Sequence, residues 1–281
     1  MKKIFPATAI GALVLLIIGT FADLRIDQAL YMPGNGFSAF FERLAPIVGA
    51  TVLMIGAALV FWTYKFVREN LAKLVLSGLV YLGSTLVGLA LCYKYCHLFG
   101  VAYGVIVAVL IACIVYKIPD ELKRQYRWAG IAIVVVFLCS MGLLEVLKVF
   151  WGRVRFRSMQ GHFDLFTPWY HPNGKHYLAA VGGVAEEIKS FPSGHSQWAG
   201  TALSLCLLAL VNPRWKNKES MVYGVALVYA LVVMFSRMMQ GAHFLSDVTV
   251  GFALPFLGLW LARYLLLKQL SQHYPQQYEL A

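Results

Sequence analysis

Eight long runs of apolar residues, separated by short polar breaks, organise the chain: roughly residues 4–22, 44–62, 74–93, 98–116, 128–146, 194–211, 220–236 and 248–267. A helix needs about 20 apolar residues to cross the hydrocarbon core of a bilayer, with a range of roughly 17–25. In that solvent the backbone must satisfy its own hydrogen bonds, which favours helices over open strands. The pattern therefore predicts an all-α fold, a polytopic transmembrane helical bundle of about eight spans. Residues 74–116 are the least regular region. Two spans joined by Tyr93–His97 fit it best, and a differently broken pair is the alternative. No internal repeat, low-complexity segment or Pro- or Ser-rich linker divides the sequence, so residues 1–281 read as a single membrane domain.

Composition narrows the class. Hydrophobic residues make up 60% of the 281 and charged residues only 13%, and the mean hydropathy is +0.68. A soluble domain carries about 25% charged residues, so a soluble enzyme, a disordered chain and a disulfide scaffold are excluded. The net charge of +11 does not signal nucleic acid, because the basic residues lie in short loops between apolar runs. With the N-terminus in the cytoplasm, the inner segments hold Lys2, Lys3, Lys65, Arg68, Lys73, Lys117, Lys123, Arg124, Arg127, Arg214, Lys216, Lys218, Arg263 and Lys268, most of the 24 Lys and Arg. Both termini are then cytoplasmic. The first run also allows a signal-peptide reading, from Lys2-Lys3, an apolar run and Thr20-Phe21-Ala22. Five cysteines (92, 96, 113, 139 and 206) form no regular framework; a Cys92–Cys96 disulfide is the alternative to simple helix packing.

The longest polar excursion runs from Lys148 to about Ser193 and is rich in aromatics, among them Trp151, Phe163, Trp169, Tyr170 and Tyr177. Such residues suit a membrane–water interface. Three clusters frame it: Lys148 and Arg155 at the outer end of the fifth run; Phe191-Pro192-Ser193-Gly194-His195 at the start of the sixth; and Ser236-Arg237, His243 and Asp247 between the seventh and eighth. In the topology above all three open on one face. Each has a plain reading alone. Lys148 and Arg155 can snorkel to the head groups, Ser190 or Ser193 can cap a helix, and His243 and Asp247, four apart, can form a structural hydrogen bond.

Together they describe a phosphate site. Arg supplies planar, bidentate hydrogen bonds and Lys a point charge, so Lys148, Arg155 and Arg237 provide three cations. Ser193 and Gly194 at a helix N-terminus add a hydroxyl and backbone N–H groups facing an anion. A carboxylate at i+4, Asp247, can hold one ring nitrogen of His243 and leave the other as a nucleophile, and His195 can protonate the departing oxygen. Glu145, three residues before Lys148, is expected to pair with it on one helix face. His162, Asp164, His171 and His176 could gather a metal, but are expected to be solvated loop residues.

These residues resemble the tripartite signature of the type 2 phosphatidic acid phosphatase (PAP2) superfamily of integral-membrane lipid phosphatases: Lys-x6-Arg-Pro, Pro-Ser-Gly-His, and Ser-Arg-x5-His-x3-Asp. Here they stand as Lys148…Arg155, Pro192-Ser193-Gly194-His195, and Ser236-Arg237…His243…Asp247, spanning residues 148–247. Phe156 replaces the usual Pro, which puts the turn after Arg155 in question. The resemblance implies a six-span core, with an extra pair of spans within 74–116. It implies a phosphohistidine intermediate on His243 activated by Asp247, with His195 as proton donor. Lys148, Arg155, Ser193, Gly194 and Arg237 would hold the phosphoryl oxygens, with neither metal nor cofactor.

The expected reaction is hydrolysis of a phosphate monoester or pyrophosphate on a lipid at the outer face of the plasma membrane. The candidates are phosphatidate, phosphatidylglycerophosphate, an isoprenoid phosphate such as undecaprenyl diphosphate, and lipid A in a Gram-negative cell. A phosphotransferase passing the group to another lipid, a non-catalytic lipid-phosphate carrier or sensor, and a vanadate-dependent haloperoxidase are the alternatives. The two histidines argue against the carrier, and the eight spans against the haloperoxidase. Oligomeric state is not legible in the sequence.

Overall fold

The structure is a computed structural model that describes residues 1–67, 70–212 and 214–278; the side chains of Phe66, Val67, Cys96 and Lys216 lie outside the described set as well. Among the described residues all regular structure is helical. The main elements are α1 (Ile4–Leu30), α2 (Gly36–Val67), α3 (Leu71–Lys117), α4 (Asp120–Trp151), α5 (Phe156–Met159), α6 (Gly194–Thr201), α7 (Cys206–Val211), α8 (Glu219–Met239) and α9 (Leu245–His273).

Among the described residues, seven helical segments are long and apolar enough to cross a membrane: Ile4–Leu30, Gly36–Lys65, Leu71–Tyr95, His97–Lys117, Asp120–Met159, Glu219–Met239 and Leu245–His273. The remaining predicted run, 194–211, is helical but segmented: a 3-10 turn at Ala202–Leu205 separates α6 from α7. Its length of about 27 Å is close to the hydrocarbon thickness of ~30 Å. It buries Ser196, Gln197, Thr201 and Ser204, and these dilute its apolar signal. The protein is thus an all-helical polytopic membrane protein.

The least regular region forms two spans. His97 leaves helical geometry (φ 50°, ψ −137°) and breaks α3. The chain then doubles back: a Cβ on Gly100 would lie 2.1 Å from the Cys92 carbonyl oxygen, and one on Gly104 would lie 2.7 Å from the Leu89 side chain. Tyr81 reaches Ala108 O at 3.5 Å. Partners that approach each other so steadily along the sequence define an antiparallel hairpin. Cys92 is buried; its suggested disulfide partner, Cys96, has a side chain outside the described residues.

The chain divides into two compact units. One comprises Met1–Ala45, Cys139–Gly200 and Leu227–Phe256. Here α1 packs on the start of α9 through Gly19, where a Cβ would lie 2.9 Å from Ser246 N. The long loop between α4 and α6 is tied to α1 by Trp169 Nε1, which donates to Thr20 Oγ1 at 2.9 Å. Trp151 and Trp169 both stack on Phe191, with centroids 4.7 and 6.1 Å away. The helix α1 runs through Ala22 without a break and carries Asp23 and Asp27 as buried residues. The second unit comprises Pro46–Leu138, Thr201–Ala226 and Leu257–Ala281. In it α2 meets α4 at two glycines: a Cβ on Gly130 would lie 2.6 Å from Gly56 O. Small residues of this kind let helix backbones approach closely. Arg263 clasps Glu219 with bonds of 2.5 and 2.9 Å.

Candidate active site

All three signature clusters lie in the first unit. The first begins in the last turn of α4, where Lys148 Nζ stands 3.9 Å from Glu145 Oε1. After Trp151 the chain turns at Gly152 (φ +57°), where a Cβ would collide with Gly174 O at 1.6 Å. Residues 153–155 then run beside 187–190: Arg155 N–H donates to Glu187 O at 2.9 Å, and Ser190 N–H to Arg153 O at 3.0 Å. Two ion pairs reinforce this edge. Arg155 Nη2 meets the Glu186 carboxylate, with Nε on Glu186 O at 2.9 Å. Arg157 clasps Glu187 at 2.6 and 3.1 Å.

These pairings explain why the missing proline does no harm. A proline would hold the preceding residue extended. Arg155 is extended already (φ −72°, ψ 143°) as N-cap of α5. Phe156 takes the first helical position, where no N–H partner is needed. Its ring fills a cluster with Val154, Met159, Ile188 and Phe244.

The second cluster opens α6. Ser193 O accepts from Gln197 N–H at 3.2 Å. Ser193 Oγ accepts from Ser196 Oγ–H at 3.0 Å and, more weakly, from Ser196 N–H at 3.4 Å. The hydroxyl thus caps the helix, and its own proton is left to donate. Ser193 N–H donates to Asp247 O at 3.0 Å, and Gly251 leaves room for this turn, since a Cβ there would lie 2.2 Å from Ser193 O. Gly194 faces the first cluster: a Cβ on it would lie 3.2 Å from Lys148 Nζ. His195 follows; its Nε2 is buried and has no hydrogen-bond partner among the described residues.

The third cluster closes the site. Arg237, in the last turn of α8, is fully buried and stands 3.6 Å from Glu42 Oε1 of α2. Ser236 bonds back to Val233 O at 2.7 Å within its own helix. His243 lies in the turn before α9, 2% exposed, and its ring centroid is 6.5 Å from that of His195.

One expected contact is replaced. Asp247 does not hold the His243 ring directly. The helix begins only at Leu245, so His243 and Asp247 do not share a helical face. His243 Nδ1 lies instead 2.5 Å from the Ser190 carbonyl oxygen. A carbonyl only accepts, so Nδ1 carries the proton and Nε2 keeps its lone pair. Asp247 acts one step removed. Its Oδ2 accepts from Ser190 Oγ–H at 2.5 Å and from Phe244 N–H at 2.9 Å. The second bond has the form of the acidic half of a capping box, reaching back to the N-cap amide.

Burial pushes the His243 ring well below its ordinary pKa, and the positive charges of Arg155, Arg237, His195 and Lys148 add to the effect. Three of these, Lys148, Arg155 and Arg237, are the cations that the sequence assigns to a phosphate site, and His195 is its expected proton donor. Burial and these charges favour the neutral ring.

Sequence reasoning missed four participants. Arg153 is fully buried. It donates to Thr167 O (2.9 Å), Ser246 Oγ (2.9 Å), Asp247 Oδ1 (2.5 Å) and Asp23 Oδ2 (2.9 Å), with the guanidinium 4.2 Å from the Phe244 ring centroid. Asp23, Ser190 and Glu42 complete the set. An acid inside a membrane span is itself a functional signal, but Asp23 falls just beyond the first apolar run, and only the continuation of α1 to Leu30 places it within a span. His162, Asp164, His171 and His176 are exposed, and no three His, Cys, Asp or Glu side chains gather around a point among the described residues.

Comparison with known proteins identifies the family. Residues 129–271 match the PAP2 superfamily. A segment of 138 residues is 33% identical to phosphatidylglycerophosphatase B of Bacillus subtilis (strain 168), covering 48% of this chain and 57% of that protein. The chain therefore spans little more than half the length of that relative. No solved structure gives a significant match. The signature, its placement on an all-helical membrane scaffold and the matched half of the chain together make this protein a member of the PAP2 superfamily.

Proposed function

We propose that this protein is a membrane lipid phosphatase that removes phosphate from a lipid monoester or pyrophosphate through a phosphohistidine at His243. The observation that carries the reading is the pair of imidazoles, 6.5 Å apart, with His243 Nδ1 tied to a carbonyl and His195 Nε2 buried without a partner among the described residues. In the first step His243 Nε2 bonds to phosphorus while the bond from phosphorus to the lipid oxygen breaks. His195 gives its proton to that oxygen, and the lipid leaves as an alcohol, or as the lipid monophosphate when the substrate is a pyrophosphate. In the second step His195 takes a proton from water, the water oxygen bonds to phosphorus, and the N–P bond breaks to release inorganic phosphate. Lys148, Arg155 and Arg237 neutralise the phosphoryl oxygens, while Ser193 Oγ–H and the Gly194 N–H donate to them. Asp247 acts by fixing Ser190 and, through it, the ring of His243.

The outer face of the plasma membrane is the proposed location of the site. The positive-inside distribution of Lys and Arg supports it, as do the exposed aromatics Phe163 (40%) and Tyr170 (57%) of the long loop. Phosphatidylglycerophosphate heads the list of candidate lipids because of the name of the Bacillus relative. Phosphatidate and undecaprenyl diphosphate follow.

The test is phosphate release by the purified protein over a panel of these lipids, with acid-quenched trapping of labelled protein. Wild type should release inorganic phosphate and form an acid-labile phosphoenzyme. His243→Ala should abolish both while remaining folded in detergent. His195→Ala should slow lipid substrates far more than p-nitrophenyl phosphate, whose leaving group needs no proton. Hydrolysis retained by His243→Ala would remove the nucleophile assignment, and appearance of the label on a second lipid would assign a transferase.

A further inference from the structure

We infer that Asp23 of α1 is a positioning residue for the nucleophile, acting through Arg153 and Asp247; the inference rests on the reading of His243 given above. Asp23 is 2% exposed. Its Oδ1 accepts from Ser246 N–H at 3.0 Å. Its Oδ2 accepts from Arg153 Nη2 at 2.9 Å and from the Ser246 hydroxyl. Each of these partners also serves Asp247 or its helix. Arg153 Nη1 donates to Asp247 Oδ1 at 2.5 Å. Ser246 N–H is one of the first-turn amides of α9 that no carbonyl of its own helix can satisfy.

The relay is continuous. Asp23 and Asp247 lie on two edges of one buried guanidinium, Asp247 Oδ2 takes the Ser190 hydroxyl at 2.5 Å, and the Ser190 carbonyl takes His243 Nδ1–H at 2.5 Å. A guanidinium is a rigid planar fork, so what holds one edge orients the other. With Asp23 in place, Arg153 offers Nη1 to a single oxygen of Asp247 and leaves the other for Ser190. Without that charge, Nη2 has no carboxylate of its own. The fork can then turn to take Asp247 with both arms, drawing Oδ2 from Ser190 and releasing the carbonyl that sets the His243 ring. Asp23 lies ahead of the segment that matches the family, residues 129–271, so none of the signature residues performs this task.

Asp23→Asn tests it, since the amide keeps the shape and one oxygen while removing the charge. The wild-type protein and the variant are compared in detergent, each corrected for folded fraction. On a hydrolysed lipid phosphate, kcat should fall at least tenfold with KM within about twofold, the pattern of a group that acts on the reacting ring rather than on substrate binding. Independently of turnover, proton NMR of ¹⁵N-histidine-labelled protein should show the hydrogen-bonded Nδ1–H of His243, assigned by its loss in His243→Ala. In Asp23→Asn that signal should exchange faster and move upfield.

If Asp23→Asn does not fold, Ser246→Ala, which removes the hydroxyl that bonds both Asp23 and Arg153 Nη1, is read in the same two ways. An unchanged kcat, or an unchanged Nδ1–H signal, in the folded variant would overturn the inference. A wild type inactive on every lipid tested, but with a signal that responds to Asp23→Asn, would instead reject the proposed reaction and leave the relay standing.

Discussion

His243 keeps a lone pair on Nε2 because the atom facing its other nitrogen, the Ser190 carbonyl oxygen, can only accept a hydrogen bond. Burial and the surrounding cations then hold the ring neutral at pH values where an ordinary histidine is half-protonated. The consequence for pH dependence has a definite sign. A nucleophile must be unprotonated, and a depressed pKa keeps it so as the pH falls, so the acid limb of kcat/KM should lie below the ordinary histidine range of about 6.5. A limb at or above that range in a pH–rate profile would contradict the geometry. At this scale the sequence was informative about types and spacing but not about contacts. Eight residues expected at a phosphate site occupy one unit of the structure. The histidine–carboxylate pair was legible as a spacing, yet the spacing was read on a helix that had not begun at His243. Arg153 sat among other basic residues, and nothing along the sequence distinguishes a guanidinium buried between two carboxylates from one in solvent.

Among the elements, close approach does as much as apolar pattern. Gly19 allows α1 to lie against the first turn of α9: a Cβ there would stand 2.9 Å from both Asp23 Oδ1 and Ser246 N. Neither atom can move without disturbing a buried network. Gly11, on the same helix, has nothing within 4 Å. Gly19→Ala should therefore destabilise the protein by about 1–3 kcal/mol, the range for overpacking a filled interior. Gly11→Ala should be neutral or stabilising by up to roughly 1 kcal/mol, from helix propensity alone. Thermal unfolding of the three proteins in one detergent measures the contrast, and equal midpoints for the two variants would deny the contact. Most spans were legible because their runs are long and unbroken. The end of α1 was not: Asp23, Arg25 and Asp27 terminate the apolar run, although both acids turn inward and the helix continues to Leu30. The sixth run was legible as apolar, but not its division by a 3-10 turn.

At the scale of the whole molecule, the proposed chemistry draws on the side chains and backbone amides of the chain itself. Three cations, a helix N-terminus and two imidazoles supply charge stabilisation, nucleophile and acid, so millimolar EDTA should leave phosphate release within about twofold of the untreated protein in an assay free of added metal. A loss that added divalent ion restores would bring metal chemistry into the mechanism. The topology carries a separate expectation. Thiol reagents that do not cross membranes should label a cysteine placed at Lys175, in the long loop, from outside intact cells, and one placed at Lys117 only after permeabilisation. The reverse pattern would place the site on the inner face.

Arg153 and Asp23 lie 130 positions apart in the sequence yet share one buried ion pair. A recombinant fragment cut at the borders of the recognisable segment would carry every signature residue and still lack the carboxylate that holds Arg153 Nη2. The matched half is consequently no portable cassette. A chimera that grafts it onto a foreign N-terminal half will need an acidic side chain at the level of Asp23, and without one it should assemble but turn over as slowly as Asp23→Asn.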